Sequence, residues 1–367
     1  MPVLRSLRLA LLLLLASAAT AQPEQTVLFP GELGEDLRAS LVTTYKPSSV
    51  LGDAASKDRM YDTVWATTVD GQEGVVGVYT GFFVPFDCDP NCDPSQDVFN
   101  QGSENTQGIN QEHIWPRAEG AGSGNAERDL HHLAPTFVRA NSDRGNLPFA
   151  EIPDALANDW YIDNTVTSTV PTSDIDSYSE RDRNTAFEPR EDFKGDVARA
   201  MFYFYTMYEA QASDAFFEAQ RETLRAWHAL DPVDQAEYDR TFIIAGFQSD
   251  DPNPFVLDST LVRRAYFPST VAAESAPLAD GFALSAAYPN PFTTATTFTL
   301  RVATPQRVRV EAFDLLGRRV AVLHDGPVSA DAPLALAFDA AALPAGLYVY
   351  RATGETFRAT RRVTLTR

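Results

Sequence analysis

The chain has 367 residues, too many for one average domain, and its 44% hydrophobic content is enough to build buried cores, which excludes wholesale disorder. Fifty acids against 30 lysines and arginines leave a net charge of −20, and a body so acidic repels polyanions at long range. Residues 285–367 carry ten arginines against six acids, so the excess negative charge falls on the rest of the chain. Bulk charge therefore argues against a nucleic-acid partner, and that objection has to be met locally.

At the N-terminus, Arg5 and Arg8 precede the apolar run Leu9–Leu15, and Ala19-Thr20-Ala21 supplies a small-residue cleavage site. This pattern predicts a signal peptide over residues 1–21. The run is too short to cross a bilayer as a helix, and no later stretch is long enough. Export permits a disulfide, for which Cys88 and Cys92 are the candidates. The expectation is a staple across a Pro/Asp-rich loop, with two unpaired thiols as the alternative.

Leu37, Leu41 and Tyr45 fall at helical spacing in Gly34–Tyr45, and Pro47 stops the pattern. Lys57–Val69 repeats it with Met60, Val64 and Trp65, up to Asp70-Gly71, and Val75–Tyr79 is β-prone. Ile109–Trp115 reads as a strand broken by Pro116, Glu119–Asn125 as a loop and Leu130–Ala134 as a second strand. Pro135-Thr136 predicts a turn, with Thr136 the N-cap of a helix through Phe137, Val138, Asn141 and Arg144 that Gly145 ends.

Residues 150–190 are polar and read as irregular. Asp196–Tyr208 is apolar almost all round, as a buried helix must be, and Ala215–Leu230 and Val233–Phe247 predict two more helices. The stretch 269–284 reads as a linker rich in small residues. Beyond it the period changes to short β alternations, which predicts an all-β domain over 285–367, a seven-stranded sandwich by its turn spacing. The fold class is therefore α+β: a mainly helical domain over 22–268 around a strand–strand–helix unit, followed by a small Ig-like sandwich.

The unit at 109–146 gathers the chemistry. His113 suits a general base, because imidazole titrates near neutrality. Glu112 and Asn141 offer hard oxygens, and two such ligands with water and phosphate filling the other positions fit Mg²⁺ better than Zn²⁺. Neighbours on a regular strand point to opposite faces, so Glu112 and His113 can share a site only where the strand ends or twists. Taken singly, each residue has an ordinary reading: a surface Glu-His pair, a solvent-facing Asn141, a local Asp143–Arg144 ion pair.

The ordered set Glu112-His113-Ile114-Trp115-Pro116, Asp129-Leu130-His131-His132-Leu133 and Asn141-Ser142-Asp143-Arg144-Gly145-Asn146 resembles the bacterial endonuclease I family. Lys194-Gly195-Asp196-Val197-Ala198-Arg199, Trp227-His228, Asp231-Pro232-Val233 and Asn253-Pro254-Phe255 extend the resemblance over roughly residues 30–267. It implies a ββα-metal (His-Me finger) site in a secreted nuclease that cuts DNA, and often RNA, without sequence preference and leaves 5′-phosphate ends. By that resemblance His113 is the general base, and Glu112 and Asn141 hold Mg²⁺, with Mn²⁺ or Ca²⁺ as substitutes. A phosphate-gripping arginine is implied between the motifs, and Arg117, Arg128 and Arg144 are the candidates; Asp129 and His131 are read as structural support. His132 stands where many relatives have asparagine, and Asp250 and Asp251 where a basic residue is common, departures that bear on substrate grip.

Tyr288-Pro289-Asn290-Pro291-Phe292, Phe313-Asp314-Leu315-Leu316-Gly317-Arg318 and Leu343-Pro344-Ala345-Gly346-Leu347-Tyr348 resemble the C-terminal sorting domain of type IX secretion cargo. That implies a partner in the type IX machinery and a secreted, extracellular or outer-surface-attached protein. Two other functions stay open at this point: a zinc phosphoesterase using His113, His131 and His132 as ligands, and a non-catalytic surface binding protein displayed by the β tail.

Overall fold

The computed structural model describes residues 23, 25–87, 93–100, 108–268, 281–285, 287, 290–330 and 333–366. The leader, both cysteines and residues 269–280 of the expected linker lie outside the described residues.

The helix Lys194–Tyr208 is the axle of the first domain: every residue but Asp196 is buried, as its apolar circumference requires. It packs against the helix Arg221–Leu230, the first helix Gly34–Tyr45 and the short turn Leu130–His132. Its aromatic residues reach the site from behind. Trp115 stacks on Phe204 with ring centres 4.8 Å apart and donates its indole N–H to the Glu119 carbonyl at 2.9 Å. The chain leaving the first site strand is thereby nailed into the core.

That strand, Ile109–His113, pairs antiparallel with Leu133–Phe137, so that Glu112 faces Ala134 and His113 faces Leu133; the helix Val138–Arg144 follows directly. The strand–strand–helix order matches the sequence reading, but its details differ. Residues Leu130–His132 form a 3₁₀ turn capped by the Asp129 carboxylate, and the second strand starts only at Leu133. Pro135 and Thr136 lie inside that strand, and the helix begins at Val138, with Phe137 at the cap position and no side-chain cap. Proline lacks an N–H, and this two-stranded pair has edges where none is needed. Gly145, at φ 54°, ends the helix as expected.

Elsewhere the differences follow from short elements. The span 57–69 is helical only to Val64, as an α-helix Asp53–Arg59 and a π-helical turn Met60–Val64. The strand Ala66–Val69 then turns through Asp70 and Gly71, both at positive φ, into Gln72–Val76. Residues 150–190 contain a four-stranded sheet built from Asp159–Ile162, Thr165–Thr167, Ser179–Asp182 and Ala186–Glu188, strands too short to show a period. The span 215–230 is two helices, Asp214–Glu218 and Arg221–Leu230. The next helix is Gln235–Ala245, because Asp234 caps it by accepting from the Glu237 N–H.

The C-terminal domain has seven described strands in two sheets, three and four strands wide, around a separate core. Its first strand, Phe282–Leu284, already falls within the stretch expected as linker. Among the described residues no helix is long and apolar enough to cross a membrane.

Burial gives the first domain a pH signature. His228 donates Nε2–H to the Ser259 carbonyl at 2.9 Å, and burial pushes its pKa down to about 4. An unfolded histidine takes up a proton near pH 6.5, so between 6.5 and 4 the unfolded state binds more protons and stability falls as pH falls. His228→Gln keeps an N–H donor and removes that titration. In this window its stability-versus-pH slope, read by urea unfolding, should be shallower than wild type by up to about 1.4 kcal/mol per pH unit; identical slopes would contradict the assignment.

Candidate active site

Glu112 is buried, and its Oε1 accepts from the Tyr79 hydroxyl at 2.9 Å and from Arg144 Nη1 at 3.0 Å. Burial pushes its pKa up, while Arg144 and Tyr79 pull it back. Both donors engage the same oxygen, which leaves Oε2 without a side-chain donor among the described residues. Arg144 is itself enclosed: it also donates to the His113 carbonyl at 3.1 Å and the Ile114 carbonyl at 2.9 Å, and its guanidinium lies 4.5 Å from the Phe149 ring centre. It is thus spent on Glu112 and the strand end, and cannot present N–H groups to a phosphate at the surface; the sequence-based candidacy of Arg144 is corrected on this point.

Asn141 lies one helical turn before Arg144. Its Nδ2 donates to the Gln111 carbonyl at 3.0 Å and to Asn110 Oδ1 at 2.8 Å. A backbone carbonyl can only accept, so the amide orientation is fixed and Oδ1 is turned away from the strand. Glu112 and Asn141 therefore come from different elements to one strand end, and together they can offer two hard oxygens to a divalent cation.

His113 leaves the strand on its own side, as alternation demands. Its Nε2 meets the Glu127 carbonyl at 3.0 Å. Since that oxygen only accepts, Nε2 carries the proton and Nδ1 keeps its lone pair. Burial and the neighbouring His132 push its pKa down to about 3, so the ring is neutral at ordinary pH. The orienting group is a main-chain carbonyl, which leaves no mark on the sequence.

The remaining histidines serve other ends. His132 uses Nε2 on the Ala126 carbonyl at 2.6 Å, and His131 uses its own on the Asp251 carbonyl at 2.9 Å while packing edge-on to Tyr203. The three imidazoles are thus tied to three different carbonyls. Among the described residues, the acidic or histidine group close enough to share an ion is Glu151, Glu188 and Glu191, and Lys194 Nζ already bonds all three. Asp129 is wholly buried beneath the site: Oδ2 accepts from the Tyr203 and Tyr208 hydroxyls at 2.7 Å each, Oδ1 from Gln248 at 2.8 Å and the His131 N–H at 3.0 Å. Tyr79, Asn110 and Gln248 had no motif to announce them.

Of the other arginines, Arg117 is largely exposed and paired with Glu127. Arg128 is half-buried, and its guanidinium has no hydrogen-bond or ion-pair partner among the described residues.

Residues 34–260 match the Endonuclease I family, and the chain belongs to it. Residues 286–366 match the secretion system C-terminal sorting domain, which marks the chain as secreted or held at the outer surface. It is 31% identical over 172 residues to an extracellular ribonuclease of Bacillus subtilis (strain 168), covering 43% of this chain and 54% of that one. It is 33% identical over 169 residues to an extracellular ribonuclease of Bacillus amyloliquefaciens, covering 40% and 50%. The chain thus spans about half the length of these relatives. A quarter of it also superposes on a tenth of dimeric latent PorU from Porphyromonas gingivalis, at 19% identity and a TM-score of 0.19, too slight to inform fold or function.

The Glu112–Arg144 contact, with side chains at 3% and 0% exposure, should be costly to break. Arg144→Met leaves a buried carboxylate unpaired and should destabilise the fold by about 3–5 kcal/mol in urea unfolding, with part recovered by adding Glu112→Gln. Arg117→Met, at an exposed pair, should cost less than about 1 kcal/mol. Equal losses at the two arginines would refute this account.

Proposed function

We propose that this chain is a secreted, divalent-metal-dependent endonuclease that cleaves nucleic acid without sequence preference, through a ββα-metal site. The observation that carries the reading is the orientation of His113: Nε2–H held by the Glu127 carbonyl, Nδ1 free as a base, within a chain of the Endonuclease I family. The names of the two Bacillus relatives support RNA as a substrate beside DNA.

In this reading His113 Nδ1 takes a proton from water as the water oxygen attacks phosphorus, and the P–O3′ bond breaks. The products are a 5′-phosphate and a 3′-hydroxyl, the latter protonated from solvent. Glu112 and Asn141 would hold a divalent ion, with Mg²⁺ suited to such hard oxygens. An ion bound there would supply charge stabilisation at the scissile phosphate and the leaving oxygen. Arg128 holds a phosphate oxygen, since its guanidinium lacks a protein partner among the described residues and follows directly on Glu127, which orients the base. Arg144 acts indirectly, by fixing Glu112 and the carbonyls of the strand end. The C-terminal domain takes no part in the chemistry and delivers the protein through the type IX machinery.

His113→Ala should lower cleavage of plasmid DNA and of RNA by roughly 10²–10⁴-fold, with metal affinity little changed. Asn141→Ala should weaken metal binding and regain part of its activity as Mg²⁺ is raised. Full wild-type activity in EDTA, or discrete bands from a defined duplex, would overturn the reading. Loss of metal binding in His113→Ala with normal cleavage by Asn141→Ala would reverse the roles of the two residues.

A further inference from the structure

We propose that Lys57 is a phosphate-gripping residue of the substrate site: it reaches the His113 face of the first site strand from outside the strand–strand–helix unit and holds the nucleic-acid backbone beside the scissile bond. The identity of the bound anion rests on the nuclease reading above.

The strand Ile109–His113 has two faces. Asn110 and Glu112 turn to the helix Val138–Arg144, where they meet Asn141 and Arg144. Alternation therefore places Ile109, Gln111 and His113 together on the other face. That face is covered by the chain just after Lys57. Met60 is buried in one apolar cluster with Ile109 and with Leu133, the residue paired to His113, and its Sδ accepts from Gln111 Nε2 at 3.8 Å. Lys57 lies three residues before Met60, in the last turn of the helix Asp53–Arg59, and side chains so spaced share one side of a helix. It is thus carried to the strand face that bears His113. After burial and His132, Arg117 and Lys57 are the charges that lower the His113 pKa, so the imidazole has a cation from each of two elements near it.

The ammonium can be released to a ligand. Among the described residues its carboxylate partner is Asp53 at 3.0 Å, and the two side chains are 39% and 67% exposed. An exposed pair one helical turn apart contributes only about 0.3–0.5 kcal/mol, so a phosphate can take the ammonium from Asp53 at little cost. The neighbouring acids are engaged elsewhere. Asp62 bonds Arg59 at 2.9 Å, while burial and the nearby Asp93 push the Asp58 pKa up. Lys194, by contrast, is enclosed by three glutamates and cannot leave them.

In the nuclease reading, Arg128 addresses the scissile phosphate. Lysine suits the phosphate next to it, because a compact charge on a flexible four-carbon stem binds as a point charge and needs no fixed fork geometry. A contact to the backbone fixes the position of the strand across His113 and reads no base, which agrees with cleavage that ignores sequence. It also supplies local attraction where the net charge of −20 repels nucleic acid at long range.

The test uses the full chain in EDTA, a fluorescent single-stranded oligonucleotide of about 30 nucleotides, and a salt titration of affinity. Lys57→Met should reduce the slope of log affinity against log salt by about 0.7, one phosphate contact, and weaken binding several-fold. Asp53→Asn should act in the opposite direction and tighten binding, and adding Lys57→Met should remove most of that gain. Melting temperatures should stay close to wild type, because the pair is exposed. In Mg²⁺, Lys57→Met should raise KM for RNA several-fold with kcat little changed. A lowered kcat at unchanged KM would assign Lys57 to tuning His113 and overturn the proposal, as would a gain from Asp53→Asn that is equal with and without Lys57. If wild type cleaves nucleic acid but Lys57→Met binds it with unchanged slope and affinity, the contact fails and the nuclease reading stands. If wild type binds with this lysine dependence yet cleaves nothing, the nuclease reading fails while the contact stands.

Discussion

The buried contact between Glu112 and Arg144 is the constraint on which the site depends. A carboxylate enclosed by Tyr79, Ala134 and the helix Val138–Arg144 has the cost of its burial offset by a guanidinium enclosed with it. That guanidinium also takes the carbonyls of His113 and Ile114, so one side chain neutralises the acid and satisfies the backbone where the strand stops. Strand and helix cannot slide apart without exposing an unpaired charge to the interior. Asn141, one turn earlier, is held at Gln111 by the same docking.

A second buried acid does for the far side of the unit what Glu112 does for the near side. Asp129 collects two tyrosine hydroxyls from the central helix, the Gln248 amide and the His131 N–H. Gln248 in turn accepts from the Leu130 N–H, which locks the 3₁₀ turn between loop and strand. The loop that ends there supplies the Glu127 carbonyl to His113. The tautomer of His113 is therefore set by backbone placement, which the core beneath it fixes.

The charge distribution divides the molecule by task. Exposed acids give the first domain its negative field, yet Arg117 and Arg128 both lie in the loop between the site strands, and Arg117 acts on His113. In the tail, Arg309, Arg319, Arg351, Arg358 and Arg362 lie on one face of a sheet whose other face packs on the apolar core. Folding decides which charges are spent internally, as at Lys194 among Glu151, Glu188 and Glu191, and which remain at the surface.

Strong periodicity and ordered motifs were legible in the chain alone. The helix Gly34–Tyr45, the buried helix ending at Tyr208, the strand–strand–helix order around His113 and the seven described strands of the tail all follow from local pattern. So do His113, Glu112 and Asn141 as candidates, because their residue types carry the chemistry. The start of the second strand at Leu133 was not legible, because the Asp129 cap that delays it depends on partners 74 to 119 residues away. The four-stranded sheet in 159–188 was hidden for a related reason, since strands of three or four residues are stabilised by neighbours and not by their own sequence. Arg144 shows the division best. Its sequence neighbour Asp143 suggested a local ion pair, but Asp143 pairs with Arg139 and Arg181, and Arg144 turns inward to Glu112, 32 residues away. Which arginine faces a substrate and which holds the site together is decided by burial, and burial exists only once the chain has folded.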